Sequence, residues 1–422
     1  MSKTITQFSH APLVPSLAQE PERSFIAWQE VKQTLAHRSA RLVFRLLDNL
    51  QHGSLHIVLP DGSLTRCGHS EPQATLHLHN WQVCEAVLKR GDIGFAESYM
   101  AGDWHSDDLA RLLDVLILNR QALDKAVYGS WWGSLYYRLK HWLQGNTRQQ
   151  ARKNIQAHYD LGNAFYQLWL DPSMTYSSAL NLADAPSLEA AQQAKYQRIL
   201  NELQLSDHAK VLEVGCGWGG FAELATAQGA TVVGLTLSTE QQHYAQQRLA
   251  RLGRAEQAEF RLQDYRDTQG QFDGIASIEM FEAVGEEYWA TYFAAIARNL
   301  KSGGRAVIQT ITIADALFER YRRSTDFIQQ YIFPGGMLPS PSRFCQEAEL
   351  AGLRVVNQRA FGQDYAGTLR QWRHDFMGQL DAIRRQGFDD RFIRMWEFYL
   401  AYCESAFRQG NTDVYQYTLQ KN

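Results

Sequence analysis

The stretch Lys210-Val-Leu-Glu-Val-Gly-Cys-Gly-Trp-Gly-Gly-Phe221 concentrates more chemistry than any other part of the chain. An apolar strand runs into Gly215, Gly217 and Gly219, a GxGxG turn that lets a backbone bend tightly and come close to a ligand. The glycines alone suit more than one ligand. A dinucleotide site asks for GxGxxG, which Gly215 to Gly220 does match, and for an acid about 20 residues on. The second strand instead ends Gly234-Leu-Thr-Leu-Ser238, without an acid. Glu213 places a carboxylate inside the first strand, just before the turn, and Cys216 reads as a small neighbour in the loop, not a nucleophile. Two further carboxylates, Glu279 and Glu282, close a later strand; Glu279 suits a base, an anchor for a ligand amine, or an ordinary strand end equally well.

A loop of this kind needs a sheet behind it. From Lys210 onward strands alternate with helices, the pattern of a doubly wound α/β domain. The strands are expected at Lys210–Val214, Ala230–Leu237, Ala258–Leu262, Phe272–Ile278 and Arg305–Ile311, with amphipathic helices such as Thr239–Leu252 and Glu286–Leu300 between them. After Leu369 the chain reads as helical to about Arg408. Ahead of this domain, residues 1–123 read as a small α+β unit: alternating runs flank a Pro60-Asp-Gly62 turn, and a helix is expected over Asp107–Leu123.

Between the two, residues 124–154 form a linker in which Trp131, Trp132, Tyr136, Leu139 and Trp142 are interleaved with Arg138, Lys140 and His141. From Lys125 to Tyr159 there are six Lys or Arg and no acid, a pattern that fits a helix lying on an anionic lipid surface or a linker helix packed on the next domain. No apolar run approaches the ~18 residues of a membrane span, and no export signal is read at the start, so a cytoplasmic protein, peripheral at the inner membrane surface, is expected. A net charge of −3 argues against nucleic-acid binding. Five cysteines without a CxxC pair suit reduced thiols, and no metal site is expected. Aromatic residues, 12% of the chain, exceed what cores usually need and suggest apolar ligands or lipid as well as packing.

The position of Glu213 resembles motif I of class I S-adenosylmethionine-dependent methyltransferases. Further motifs narrow this: Gly234 to Gln241, Gln263-Asp-Tyr-Arg-Asp267, Ser277-Ile-Glu-Met-Phe-Glu-Ala-Val-Gly285, His158-Tyr-Asp-Leu-Gly-Asn163, Leu170 to Ser178, Tyr331-Ile-Phe-Pro-Gly-Gly336 and Asp364-Tyr365. Together they resemble the cyclopropane fatty acid synthase and mycolic acid methyltransferase family, over about Gly91 to Arg408 and in order. The resemblance implies a Rossmann-like methyltransferase domain over residues 155–422 with helical acyl-chain-binding additions. It implies S-adenosyl-L-methionine as cofactor and unsaturated phospholipid acyl chains as substrate, converted to cyclopropanes or, alternatively, to methyl-branched or methylene products; a lipid-binding protein without catalysis is a further alternative. A homodimer is implied by the same likeness.

The cofactor site so implied comprises Tyr176, Ser177, Glu213, Gly215, Gly217, Gly219, Thr236, Gln241, Gln263, Asp264 and Tyr265. The resemblance also places a bicarbonate ion as proton acceptor, held here by Glu282, Tyr365 and the main chain at Ile311. Two members of that set differ: the family's Cys is Ser178 and its His is Gln309. Serine offers the same backbone N–H, whereas a glutamine side chain never becomes cationic and holds an anion less firmly. Glu279 stands where many members have Gly.

Overall fold

The computed structural model describes residues 24–120, 122–123 and 161–422. The basic aromatic segment 124–154 lies outside the described residues. Two short helices, α1 (Trp28–Thr34) and α2 (Arg38–Leu47), lead into a four-stranded sheet of order β2-β1-β3-β4. Strands β1 (Ser54–Val58) and β2 (Leu64–Gly68) pair antiparallel across the expected turn, where the Gly62 N–H donates to the Leu59 carbonyl at 2.9 Å. Strand β3 (Gln73–Leu78) is parallel to β1, and the short β4 (Trp104–His105) pairs with it.

Helix α3 (Gln82–Ala101) is kinked at Gly91, whose φ of 58° and ψ of −133° suit only a residue without Cβ. Helix α4 (Leu109–Leu118) starts where Asp108 caps it by accepting from the Arg111 N–H, and is interrupted at Asn119, whose side-chain amide donates to the His52 and Val115 carbonyls; Arg120, Ala122 and Leu123 are helical again, within the Asp107–Leu123 expected.

The larger sheet has seven strands in the order β10-β11-β9-β8-β5-β6-β7. Strands β5 (Lys210–Val214), β7 (Ala258–Leu262) and β8 (Phe272–Ile278) coincide with expectation, β6 covers Thr231–Thr236, and β9 extends to Leu300–Ile313. The apolar runs of β5, β6 and β8 are buried on both faces, as parallel strands between helical layers require, whereas the edge strand β7 buries only Phe260. Strands β10 (Leu353–Ala360) and β11 (Thr412–Lys421) were not anticipated. Strand β10 lies at the sheet edge and is largely polar and exposed, so it lacks an apolar signature; β11 inserts antiparallel between it and β9.

The helices are α5 (Asn163–Tyr166), α6 (Leu188–Leu203), α7 (Gly220–Ala227), α8 (Thr239–Arg251), α9 (Trp289–Asn299), α10 (Asp315–Tyr321), α11 (Pro341–Leu350), α12 (Gly362–Gly378), α13 (Leu380–Arg385) and α14 (Asp390–Arg408). Helix α14 packs on α3, α4 and α12, so a single apolar core runs from Leu55 and Trp104 of the amino-terminal unit to Trp372, Trp396 and Phe398. The Tyr99 hydroxyl seals this contact by donating to Glu397 at 2.6 Å. Five tryptophans, at positions 104, 169, 289, 372 and 396, are at most 2% exposed, which assigns much of the aromatic surplus to packing. Among the described residues no helix is long and apolar enough to cross a membrane.

Candidate active site

The site lies at the carboxyl ends of β5 and β8, where the strand order reverses and open α/β sheets form their crevice. A cavity of about 370 Å³ opens there. Thirteen of the sixteen residues implicated by sequence line it: Tyr176, Ser177, Glu213, Gly215, Gly217, Thr236, Gln241, Gln263, Asp264, Tyr265, Glu282, Ile311 and Tyr365. Gly219, Ser178 and Gln309 do not. Gly219 caps α7 at φ 82° beside Ala245, where a Cβ would come within 3.0 Å, so its part is helix packing. Ser178 and Gln309 are fully buried behind Glu279, which does line the cavity.

The glycine turn forms a cradle. Gly215 has φ 85°, and a Cβ there would meet Met280 at 2.9 Å. Glu213 is 2% exposed; burial holds its carboxyl well above the usual range, and its Oε2 has no hydrogen-bond partner among the described residues. A buried, unpartnered acceptor beside an open glycine turn fits a polar cofactor that brings its own donors. Across the crevice, Thr236 donates to Gln241 Oε1 at 2.9 Å, and Asp264 is clamped bidentately by Arg266 at 2.9 and 2.6 Å, so these side chains are fixed before any ligand arrives. Burial raises the Cys216 thiol, which suits an inert neighbour better than a nucleophile.

The opposite wall is aromatic and apolar. Tyr176 hydrogen-bonds the hydroxyl of Tyr399 from α14 at 2.7 Å and packs on Trp169 and Trp372; Phe333, Leu369 and Tyr402 continue the surface. Asp92, Ile117, Arg120 and Tyr402 are shared with a second, apolar cavity of about 220 Å³ inside the amino-terminal unit.

Between these walls stands Glu279. Its Oε1 accepts from the Ser178 backbone N–H at 2.9 Å and from Gln309 Nε2 at 2.7 Å; its Oε2 accepts from the Tyr365 hydroxyl at 2.6 Å. Burial lifts its carboxyl, while Lys195, Tyr365, Ser178 and Gln309 oppose that shift. The Ile311 N–H donates to Glu282 Oε1. Burial, reinforced by the charge of Glu279, pushes the Glu282 carboxyl up to about 8. The donors assigned by resemblance to bicarbonate are therefore engaged by two side-chain carboxylates. A separate anion does not fit that set.

Lys195 was missed by sequence reading. It is fully buried behind Ser177, donating to its Oγ at 2.5 Å and to Gln192 Oε1 at 2.6 Å, and burial lowers its ammonium to about 7. Its spacing held a signal, since it stands between Ala191 and Ile199 on the buried stripe of α6. No metal site was expected; His77, His105 and Asp107 do bring ligand atoms within 4.8 Å of one another in the amino-terminal unit, but none of them lines this cavity.

The family model for mycolic acid cyclopropane synthetase matches residues 146–417. The chain belongs to that family. This synthetase-family chain is 40% identical to tuberculostearic acid methyltransferase UfaA1 of Mycobacterium tuberculosis, over 96% of its length and 97% of the relative's. It is 36% identical to the cyclopropane-fatty-acyl-phospholipid synthase of Escherichia coli K12, over 84% and 90% of the two chains. The solved structure of mycolic acid cyclopropane synthase CmaA1 with SAH and CTAB superposes with a TM-score of 0.60 at 33% identity, covering 64% of this chain and 98% of that one. Membership makes the protein an S-adenosylmethionine-dependent enzyme of fatty acid modification, with the seven-stranded sheet of class I methyltransferases.

Proposed function

We propose that the protein alkylates the double bond of an unsaturated fatty acyl chain, carried on a phospholipid. The observation that carries this reading is the continuity of one cavity from the glycine cradle to the aromatic wall. The cofactor site is the Gly215–Gly217 turn with Glu213, Thr236, Gln241 and Gln263 to Tyr265 around it. S-adenosylmethionine bound there supplies an electrophilic methyl group.

The chain's own residues do the rest. An alkene is a weak nucleophile, so it must be held in line with the methyl group and away from water; the packed wall of Tyr176, Phe333, Leu369 and Tyr399 serves both needs. Methyl addition leaves a cation on the neighbouring chain carbon, and the faces of Tyr176 and Tyr399 stabilise it by cation–π attraction. Proton loss from the added methyl closes a cyclopropane ring; proton loss from an adjacent chain carbon leaves a methylene branch. Ring closure is the leading reading. The 40% identical methyltransferase, matched across nearly its full length, favours the branch as the second.

Incubation with deuterium-labelled S-adenosylmethionine and vesicles of unsaturated phosphatidylglycerol, followed by mass spectrometry and proton NMR of the acyl chains, tests both. A ring signal with loss of unsaturation supports the first reading, a methyl or methylene branch the second, and absence of label from every acyl chain removes both. The basic segment 124–154 supports a visit to an anionic membrane surface, so the chain should co-sediment with anionic vesicles in preference to neutral ones.

A further inference from the structure

We propose that Glu279 is the proton acceptor of the reaction, a carboxylate built into the chain in place of a dissociable anion. This rests on the alkylation reading above. Every contact drawn to its two oxygens comes from a donor: the Ser178 N–H, the Gln309 amide and the Tyr365 hydroxyl. The amide orientation is fixed from outside the site. Arg198 can only donate, to Gln416 Oε1 at 2.7 Å; Gln416 Nε2 then donates to Gln309 Oε1 at 2.9 Å, which leaves Gln309 Nε2 for Glu279. A group surrounded by donors is an acceptor, the ionised form of a carboxyl.

The backbone points the same way. Glu279 has φ 50°, in the left-handed region where glycine is at ease, and non-glycine residues held there cluster at functional sites. Its own N–H is anchored to the Gln309 carbonyl at 2.8 Å, so both its main chain and its side chain are tied to one residue of β9. Glu282, the nearest of the other carboxylates lining the cavity, is less suited: burial and the charge of Glu279 push its carboxyl up to about 8, whereas at Glu279 the upward pull of burial is opposed by the Lys195 charge and by the three donors. Among the described residues Oε2 of Glu279 accepts only the Tyr365 hydroxyl, which leaves acceptor capacity on that oxygen.

The step balances without a further reactant. The alkene electron pair bonds the methyl carbon as the carbon–sulfur bond breaks, and sulfur leaves as a neutral thioether. The positive charge then sits on the second alkene carbon. A neighbouring C–H bond gives its electron pair to the ring or to a new double bond and its proton to Glu279, which passes the proton to water.

The test is turnover of labelled S-adenosylmethionine on unsaturated phosphatidylglycerol vesicles, in buffer stripped of carbon dioxide and in the same buffer with added bicarbonate. Wild type should run equally in both. Glu279→Gly suits the left-handed backbone and opens the cage; its rate should fall about 10²–10⁴-fold without bicarbonate and recover at least about tenfold with it. Glu279→Gln fills the cage with a group that cannot take the proton, and should fall without recovery. SAH binding by calorimetry should stay unchanged in both variants, which separates chemistry from misfolding. A wild-type rate that rises with bicarbonate, a Glu279→Gly variant as fast as wild type, or one that bicarbonate fails to restore would each overturn the assignment. A wild type that labels no acyl chain would instead remove the alkylation reading and the base together.

Discussion

Gln309 and Glu279 hold each other twice: the Gln309 amide donates to the Glu279 carboxylate at 2.7 Å, and the Glu279 N–H donates to the Gln309 carbonyl at 2.8 Å. Gln309 also lies directly opposite Gln416 in the β9–β11 ladder, which links the carboxylate through Gln416 to Arg198. Glutamine at this point is thus a relay between a distant cation and a carboxylate that needs donors.

Cutting that relay should cost both stability and rate. Gln309→Leu removes one of three donors from Glu279, which keeps Ser178 and Tyr365, and takes from the buried Gln416 amide its acceptor at 2.9 Å, a loss that costs about 1–3 kcal/mol. Urea unfolding should show destabilisation in that range, and kcat should fall with little change in SAH affinity. An unchanged midpoint and rate would show that the relay has no energetic role.

Tyr365→Phe should shift the pH profile. The Tyr365 hydroxyl lowers the Glu279 carboxyl, so its loss lets that group rise further. A base must be ionised to act, and the acid limb of kcat should therefore move to higher pH in the variant. A limb that stays in place, or moves toward lower pH, contradicts a hydrogen bond from Tyr365 to an ionised Glu279.

The glycine turn should tolerate a methyl group unequally. At Gly215 a Cβ would strike Met280 at 2.9 Å on top of the strain of φ 85°, whereas at Gly217 it meets nothing within 4 Å among the described residues and bears only the strain of φ 50°. Gly215→Ala should weaken SAH binding at least about tenfold, equivalent to 1.4 kcal/mol, and more than Gly217→Ala does. Calorimetric titration of the two variants decides the order.

Glu282 makes a linkage prediction. Its carboxyl ordinarily titrates at 4.5 and is raised to about 8 in the folded chain, so between those values the folded state binds the extra proton. The stability this provides is complete below 4.5 and is lost as pH rises toward 8. Glu282→Gln keeps an acceptor for the Ile311 N–H and removes the titration. Its unfolding free energy should gain on wild type across that interval, by at most about 1.4 kcal/mol per pH unit. Calorimetric scans in a pH series that show a constant difference would contradict the raised carboxyl.

The apolar cavity of the amino-terminal unit should matter for long chains. Leu116 lines it, and Leu116→Trp would reduce its 220 Å³ while the shared wall at Ile117 and Tyr402 stays in place. If acyl tails enter it, kcat/KM should fall for long acyl chains and hold for short ones. Equal losses across chain lengths would indicate a folding defect, which thermal unfolding would register.

Much of this protein was legible in its sequence. Apolar runs buried on both faces marked β5, β6 and β8 nearly to the residue, and Glu213 with the three glycines located the cradle, because strand burial and tight turns are decided by neighbours in the chain. The polar edge strand β10 escaped because exposure removes the apolar pattern, and the buried Lys195 because a lysine on an apolar stripe ordinarily extends its ammonium to water. The role of Glu279 could not be read at all. Sequence left it as base, anchor or strand end with equal claim. Its three donors lie 101, 30 and 86 positions away along the chain; the pairing of β9 with β8 brings up Gln309, the packing of α12 brings Tyr365, and the segment ahead of α6 brings Ser178. Local chemistry fixed where a ligand turn would form; long-range register and packing decided which acid stands in the cavity and what surrounds it.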